Sequence, residues 1–315
     1  MRRASLSVVI PCYNAEAHLA EAIESVLTQR EVTAELVVVD DGSTDASAAI
    51  ASAYSEVRLI RTANRGVSAA RNRGIAEARG TLLKFLDADD KLLPGALARQ
   101  LQRSKALAPH ELPFGDYLCC GQGDARRKRS SQLSSRCHLA SVILADIHPS
   151  TPLHRRELLE GVGGFDERFA TDEDWNLHVR LAAAGARFRR FPEVISQYRI
   201  HEAAHRLSNA KLRVGDYIVG ELERLRWTRD AVQAAPLSDA AFARRAIWLA
   251  RVAQRRGEPE AAQRCLAAAR AIAPEHYLRF LSMRHRALVA VLGAERGEAA
   301  LLAYWACERR ERPLP

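Results

Sequence analysis

Two aspartates separated by one residue, Asp87-Ala88-Asp89, follow a short apolar run at 82–86. At the end of an extended segment, residues two apart project to the same side. Carboxylates held side by side repel unless a proton or a cation compensates them. A hard divalent ion, Mg²⁺ or Mn²⁺, shared between one or two carboxylates and substrate phosphates is the usual solution. Such an ion would neutralise charge building on a diphosphate leaving group. An acidic turn alone is more often a cap or a bend, but a second one, Asp40-Asp41-Gly42-Ser43-Thr44-Asp45, closes another apolar run. Its hydroxyls can cap a following helix, and one of its carboxylates can accept a hydrogen bond from a base imide N–H. Arg71, in a helical stretch between Gly66 and Gly74, can offer a diphosphate a planar fork of donors. The alternative for Arg71 is a solvated helix arginine.

The elements that must position these groups follow from the hydrophobic periods. Apolar, β-branched runs at Leu6–Pro11, Leu36–Asp40, Val57–Ile60 and Leu82–Leu86 alternate with helical patterns at 16–29, 45–54, 67–78 and 94–107. The runs are too apolar to be half-exposed, so a parallel α/β sheet covered on both faces is expected. Ligands bind such sheets at the carboxyl ends of the strands, which is where Asn14 and both acidic turns fall. Residues 110–152 read as a loop-rich region carrying a basic cluster at 126–129. Helical patterns follow at 154–160 and 173–184, then short strands near Phe188–Phe191 and Val194–Ile200. From about 205 the pattern is almost wholly helical, Ala- and Arg-rich. The expected organisation is a catalytic domain over 1–205 and a helical region over 206–315. Within the latter, 243–276 spaces Leu249, Gly257, Ala262, Leu266, Ala269 and Pro274 as a tetratricopeptide helix pair does. A single such unit must pack on other helices or on the catalytic domain.

The 315 residues are 48% apolar and 27% charged, ordinary globular composition for one large domain and a smaller one. The net charge of +9 comes mostly from Arg. Its clusters read as solvated faces, and no motif that reads nucleic acid accompanies them. Six cysteines without metal-ligand spacing, no signal peptide and no apolar stretch near the roughly 18 residues of a membrane span lead us to expect a cytoplasmic protein. The basic charge is compatible with peripheral association with the inner membrane face.

Val9-Ile10-Pro11-Cys12-Tyr13-Asn14, Val38-Val39-Asp40-Asp41-Gly42-Ser43-Thr44-Asp45, Asn64-Arg65-Gly66-Val67-Ser68-Ala69-Ala70-Arg71-Asn72-Arg73-Gly74 and Phe85-Leu86-Asp87-Ala88-Asp89-Asp90 closely resemble, in order and spacing, the family-2 glycosyltransferases. Gly163-Gly164-Phe165-Asp166-Glu167, Asp172-Glu173-Asp174-Trp175, Leu177 and Arg180-Leu181 resemble that family's acceptor-side motif, and Tyr198-Arg199-Ile200-His201 its closing motif. The resemblance spans about residues 5–205. It implies a GT-A fold and inverting transfer of a sugar from a nucleotide-diphosphate donor, UDP-sugar favoured, to a hydroxyl of a saccharide, lipid-linked or other acceptor in surface or exported glycan synthesis. It further implies that Pro11, Tyr13 and Asp41 cradle the base with Glu16 nearby. Asp89, helped by Asp87, would hold Mn²⁺ or Mg²⁺ on the diphosphate, with His201 a further metal or phosphate contact. Asp174 would be the general base. Inversion places the base across the anomeric carbon from the diphosphate. Asp172 and Glu173 are its rivals, and adjacent helix residues point about 100° apart, so Glu173 reads better as a helix-start carboxylate. A dinucleotide-dependent enzyme would need a G-x-G-x-x-G after the first strand, where Pro11-Cys12-Tyr13-Asn14 stands. A helical adaptor with a nucleotide-binding domain is the other alternative, against which the acidic motifs argue.

Overall fold

The computed structural model describes residues 6–121, 125–145, 147–200, 214–232, 236–277, 279, 281, 297–298 and 300–302. It divides into two compact units: Met1–Ser134 with Ala145–Ala210, and Ser135–Leu144 with Lys211–Pro315.

In the first unit, strands Leu6–Cys12 (β1), Glu35–Asp40 (β2), Val57–Arg61 (β3) and Leu82–Phe85 (β4) alternate with helices Leu19–Leu27 (α1), Ser47–Ser52 (α2) and Val67–Glu77 (α3). Then come Lys91–Leu92 (β5), Ala96–Lys105 (α4), Glu111–Cys120 (β6) and Arg126–Lys128 (β7). After His138–Ile143 (α5), which belongs to the second unit, the order resumes with His154–Arg155 (β8), Arg156–Gly161 (α6), Glu173–Ala183 (α7) and Arg187–Arg199 (β9).

The main sheet has the order β3-β2-β1-β4-β8, parallel except for β8. Because β1 adds β2 on one side and β4 on the other, the topological switch lies between β1 and β4, where such sheets open a crevice. Every residue of β1 is buried, as its Val and Ile content demands. Helix α3 lies close over β1 because Gly74 faces Val9: a β-carbon there would stand 2.2 Å from Val9 Cγ1. The expectation that all four strands are covered fails for β3. It is an edge strand with Val57–Ile60 only half-buried and Arg61 exposed.

The loop-rich reading of 110–152 also fails in part. Strand β6 runs ten residues and pairs in parallel with β9 at the centre of a second sheet of order β5-β9-β6-β7. Its Pro113, Gly115 and Asp116 are residues that strands usually avoid. Pro113 stays in register opposite Arg189, while Gly115 and Asp116 fall at register shifts between Phe114 and Tyr117, where a β-carbon on Gly115 would collide with Glu193 O. Asp116 is fully buried and receives Arg127 and Arg190 at 2.7 Å each. The two guanidiniums outweigh burial and hold its carboxyl below the usual range. One cation of the basic cluster is therefore structural. The two short strands expected at 188–200 are one, β9, and 154–155 join the main sheet before α6 starts.

The second unit packs α5 with Val214–Ala231 (α8), Pro236–Arg256 (α9) and Pro259–Ile272 (α10). Helices α9 and α10 pack together, and both bury small residues, among them Ala246, Ala250, Ala253, Ala262 and Ala269. Small side chains allow this close approach. Arg245 reaches Ile143 O at 3.2 Å, tying α5 to α9.

Candidate active site

The loops at the carboxyl ends of β1, β2 and β4 form the candidate site. The first two are clasped together. Asn14, in the left-handed region at φ 49°, donates its backbone N–H to Ser43 Oγ (3.0 Å) and accepts Thr44 N–H on Oδ1 (2.8 Å). Asparagine tolerates that backbone better than most residues. Glu16 N–H donates to Asp45, and Glu16 Oε2 accepts Ala46 N–H, both at 3.0 Å. Glu16 is thus a loop-to-loop brace. Tyr13 is 44% exposed beside it, while Pro11 is buried within β1.

Asp41 is buried and accepts N–H donors from Arg65 (2.9 Å) and Gly66 (2.8 Å), anchoring the turn that starts α3. Thr62 Oγ1 donates a third, longer bond at 3.4 Å, and a carboxylate has about four acceptor positions, so one is left for a base N–H.

The strand of the Asp87-Ala88-Asp89 segment ends at Phe85, so the extended-run reason for their convergence does not apply. A turn brings the groups together instead: Asp90 N–H donates to Asp87 O at 3.0 Å. One oxygen from each of Asp87, Asp89 and Asp90 lies within 4.8 Å of the others. Asp90, absent from the sequence-based set, is 2% exposed and accepts Arg199 N–H (3.0 Å) and Ser150 Oγ–H (3.2 Å). Burial, and then the charges of Asp87 and Asp89, push its carboxyl well above the ordinary range. The all-oxygen set, with two half-exposed members, fits a hard divalent ion.

Arg71 is not a solvated helix arginine. It is 2% exposed, and its Nη2 and Nη1 donate to Asp87 Oδ1 and Glu173 Oε1, each at 2.6 Å. Its face stacks on Phe165, 5.2 Å from the ring centroid. Burial disfavours its charge, yet the two carboxylates hold its pKa above the ordinary value. Beneath it His178 is depressed to about 3 by burial and by Arg71 itself, so the imidazole stays neutral. Arg71 therefore joins the acidic turn to the first turn of α7 across 102 residues of sequence. Removing it strands two carboxylates. Arg71→Met should cost about 3 kcal/mol, the lower end for a broken buried pair because Asp87 is partly solvated. A urea-unfolding midpoint measures this, and a loss under about 1 kcal/mol would mean that solvent already screens the pair.

Asp174 follows Glu173 on α7. It is half-buried, with Oδ1 accepting Trp175 N–H at 2.7 Å. The helix start is fixed from both sides. Asn72 of α3 exchanges two hydrogen bonds with Phe165 (2.8 and 2.9 Å). Arg180 donates to Val162 O and Gly164 O (2.7 and 2.6 Å). Glu173 is spent on Arg71, and Asp172 is the N-cap at φ 58°. His201 lies outside the described residues. Asp90 was visible in the acidic quartet, but nothing local distinguished it. Ser150 and Arg199 carried no signal pointing to Asp90.

Residues 7–157 match the family model described as Glycosyl transferase family 2. The chain is 34% identical over 223 residues to the uncharacterized glycosyltransferase alr2836 of Nostoc sp., covering 65% of this chain and 67% of that protein. It is 33% identical over 216 residues to the succinoglycan biosynthesis protein ExoO of Rhizobium meliloti, covering 63% and 62%. The match thus spans less than two thirds of ExoO's length. The crystal structure of S. aureus TarS 1–349 in complex with UDP-GlcNAc superimposes with a TM-score of 0.73, covering 98% of this chain and 92% of that one at 19% identity. At that identity the likeness is one of fold.

Proposed function

From the premise that the chain belongs to glycosyltransferase family 2 and has the GT-A fold, we propose that it inverts an anomeric centre while moving a sugar from a UDP-sugar to an acceptor hydroxyl. The observation that carries this reading is the Asp87–Arg71–Glu173 bridge. It holds a diphosphate-side acidic turn and the helix start that bears Asp174 as one rigid body. Preorganisation of this kind is what positions a base against a reacting centre.

Tyr13 and Pro11 border the base, Asp41 accepts from its imide, and the Glu16 clasp keeps the two loops in register. Asp87, Asp89 and Asp90 would hold Mn²⁺ or Mg²⁺, which when bound supplies charge compensation for the diphosphate. Asp174 accepts the proton of the acceptor hydroxyl as its oxygen attacks. Arg71 positions both carboxylate groups without touching the sugar. The acceptor is a glycan or lipid-linked saccharide, a reading supported by the likeness to ExoO. UDP is favoured by the likeness to TarS, whose complex contains UDP-GlcNAc.

The test is a panel of UDP-, GDP- and dTDP-sugars with Mn²⁺, scored by thermal shift and by slow hydrolysis of donor. UDP-sugars should stabilise the protein and be hydrolysed, and a chelator should abolish both effects. Absence of stabilisation by every donor, or hydrolysis indifferent to chelator, would overturn the proposal.

A further inference from the structure

Helix α9 presents Arg244, Trp248, Arg251 and Arg255 to solvent. Their spacing of four, three and four residues places them on one stripe of the helix. The opposite side, with Ala243, Ala246, Leu249, Ala250 and Ala253, is buried within the helical unit. The one carboxylate of α9, Asp239, is held by Arg229 at 2.7 Å. The exposed stripe itself therefore carries arginines and no carboxylate; it is about 17 Å long at the rise of a helix, with a large aromatic at its centre. Trp248 is 54% exposed, the most of any large apolar side chain among the described residues. Leaving so much indole in water forgoes a substantial burial gain.

We propose that this Arg244–Trp248–Arg251–Arg255 stripe docks the protein on an anionic phospholipid surface. Charge complementarity selects an anionic partner, since each guanidinium can fork onto a phosphate. The central tryptophan selects a bilayer over other polyanions. An indole ring settles at the headgroup level, its apolar body toward the acyl chains and its N–H toward water. Helix α9 does not insert, because its apolar side is already packed; it lies flat on the headgroups. No described helix is long and apolar enough to cross a membrane; adsorption through this stripe is a surface mode of attachment that needs none. Binding requires no turnover and is separable from the transfer chemistry.

Flotation of the full chain with phosphatidylcholine vesicles, with and without phosphatidylglycerol, tests the proposal. The protein should float only with the anionic vesicles, and added salt should weaken binding. Each arginine near an anionic leaflet contributes about fivefold in partition, so Arg244→Glu with Arg255→Glu should lower binding at least about twentyfold. The paired lysine replacements should retain it, which separates lost charge from lost fold. Trp248→Phe should remove the blue shift in indole emission that vesicles induce. Equal binding to neutral vesicles, or indifference to charge reversal with an unchanged thermal melt, would overturn the proposal. So would binding confined to DNA or a soluble acidic polysaccharide in the same series.

Discussion

Asp174→Asn is expected to bind donor and metal ion nearly normally while transfer falls about a hundred- to ten-thousand-fold, the usual cost of losing a general base. Asparagine keeps the size and the acceptor oxygen that receives Trp175 N–H, so the start of α7 should be preserved. A group that acts only in the transition state lowers turnover without altering ground-state affinity. Glu173→Gln is the control, and the structure dictates how it should behave. Glutamine retains an acceptor for Arg71 Nη1 but not the charge that compensates the buried guanidinium. Its main effect should therefore be a lower melting temperature, with turnover per folded molecule substantially retained. Donor titration by calorimetry, single-turnover transfer and a thermal melt on both variants separate the two roles. A dead Glu173→Gln beside an active Asp174→Asn would move the base by one residue.

Asp89→Ala should abolish Mn²⁺-dependent stabilisation by donor and reduce turnover by about a thousand-fold, equivalent to several kcal/mol of lost charge stabilisation at the diphosphate. The fold should survive. Asp89 is half-exposed, whereas the acidic turn is pinned through Asp90, which Arg199 and Ser150 hold, and through Asp87, which Arg71 holds. Titration of Mn²⁺ by electron paramagnetic resonance, with and without UDP, reads the first effect directly. Unchanged Mn²⁺ affinity together with parental turnover would remove Asp89 from the ion's coordination sphere. Asp90→Asn is a useful companion. It removes a charge that burial, and then Asp87 and Asp89, disfavour and should raise thermal stability in the absence of metal.

The alternation of apolar runs with helical patterns was enough to read a parallel sheet, because both periods are local and each is set by backbone geometry. With the sheet came the expected place of the chemistry, since strand ends at a topological switch leave the crevice uncovered. The motif order around Asp41, Asp87 and Asp174 was likewise readable along the chain. Strand β6 was not. Its Pro113, Gly115 and Asp116 disfavour a strand locally, and only pairing with β9 and the ion pairs of Asp116 with Arg127 and Arg190 reverse that preference. The pairing of Arg71 was not readable, because periodicity reveals a helix face but not what the face meets. Its partners, Asp87 and Glu173, lie 16 and 102 residues away and are brought together only when α3 seats on β1 and α7 seats beside it. Asp90 shows the same division: its type was visible in the quartet, but its burial was not. A sequence determines which groups are available and in what order they come. Which of them share a desolvated space, and so which charge compensates which, is decided by tertiary contacts, because Coulomb energies depend on separation in space and on solvent exclusion.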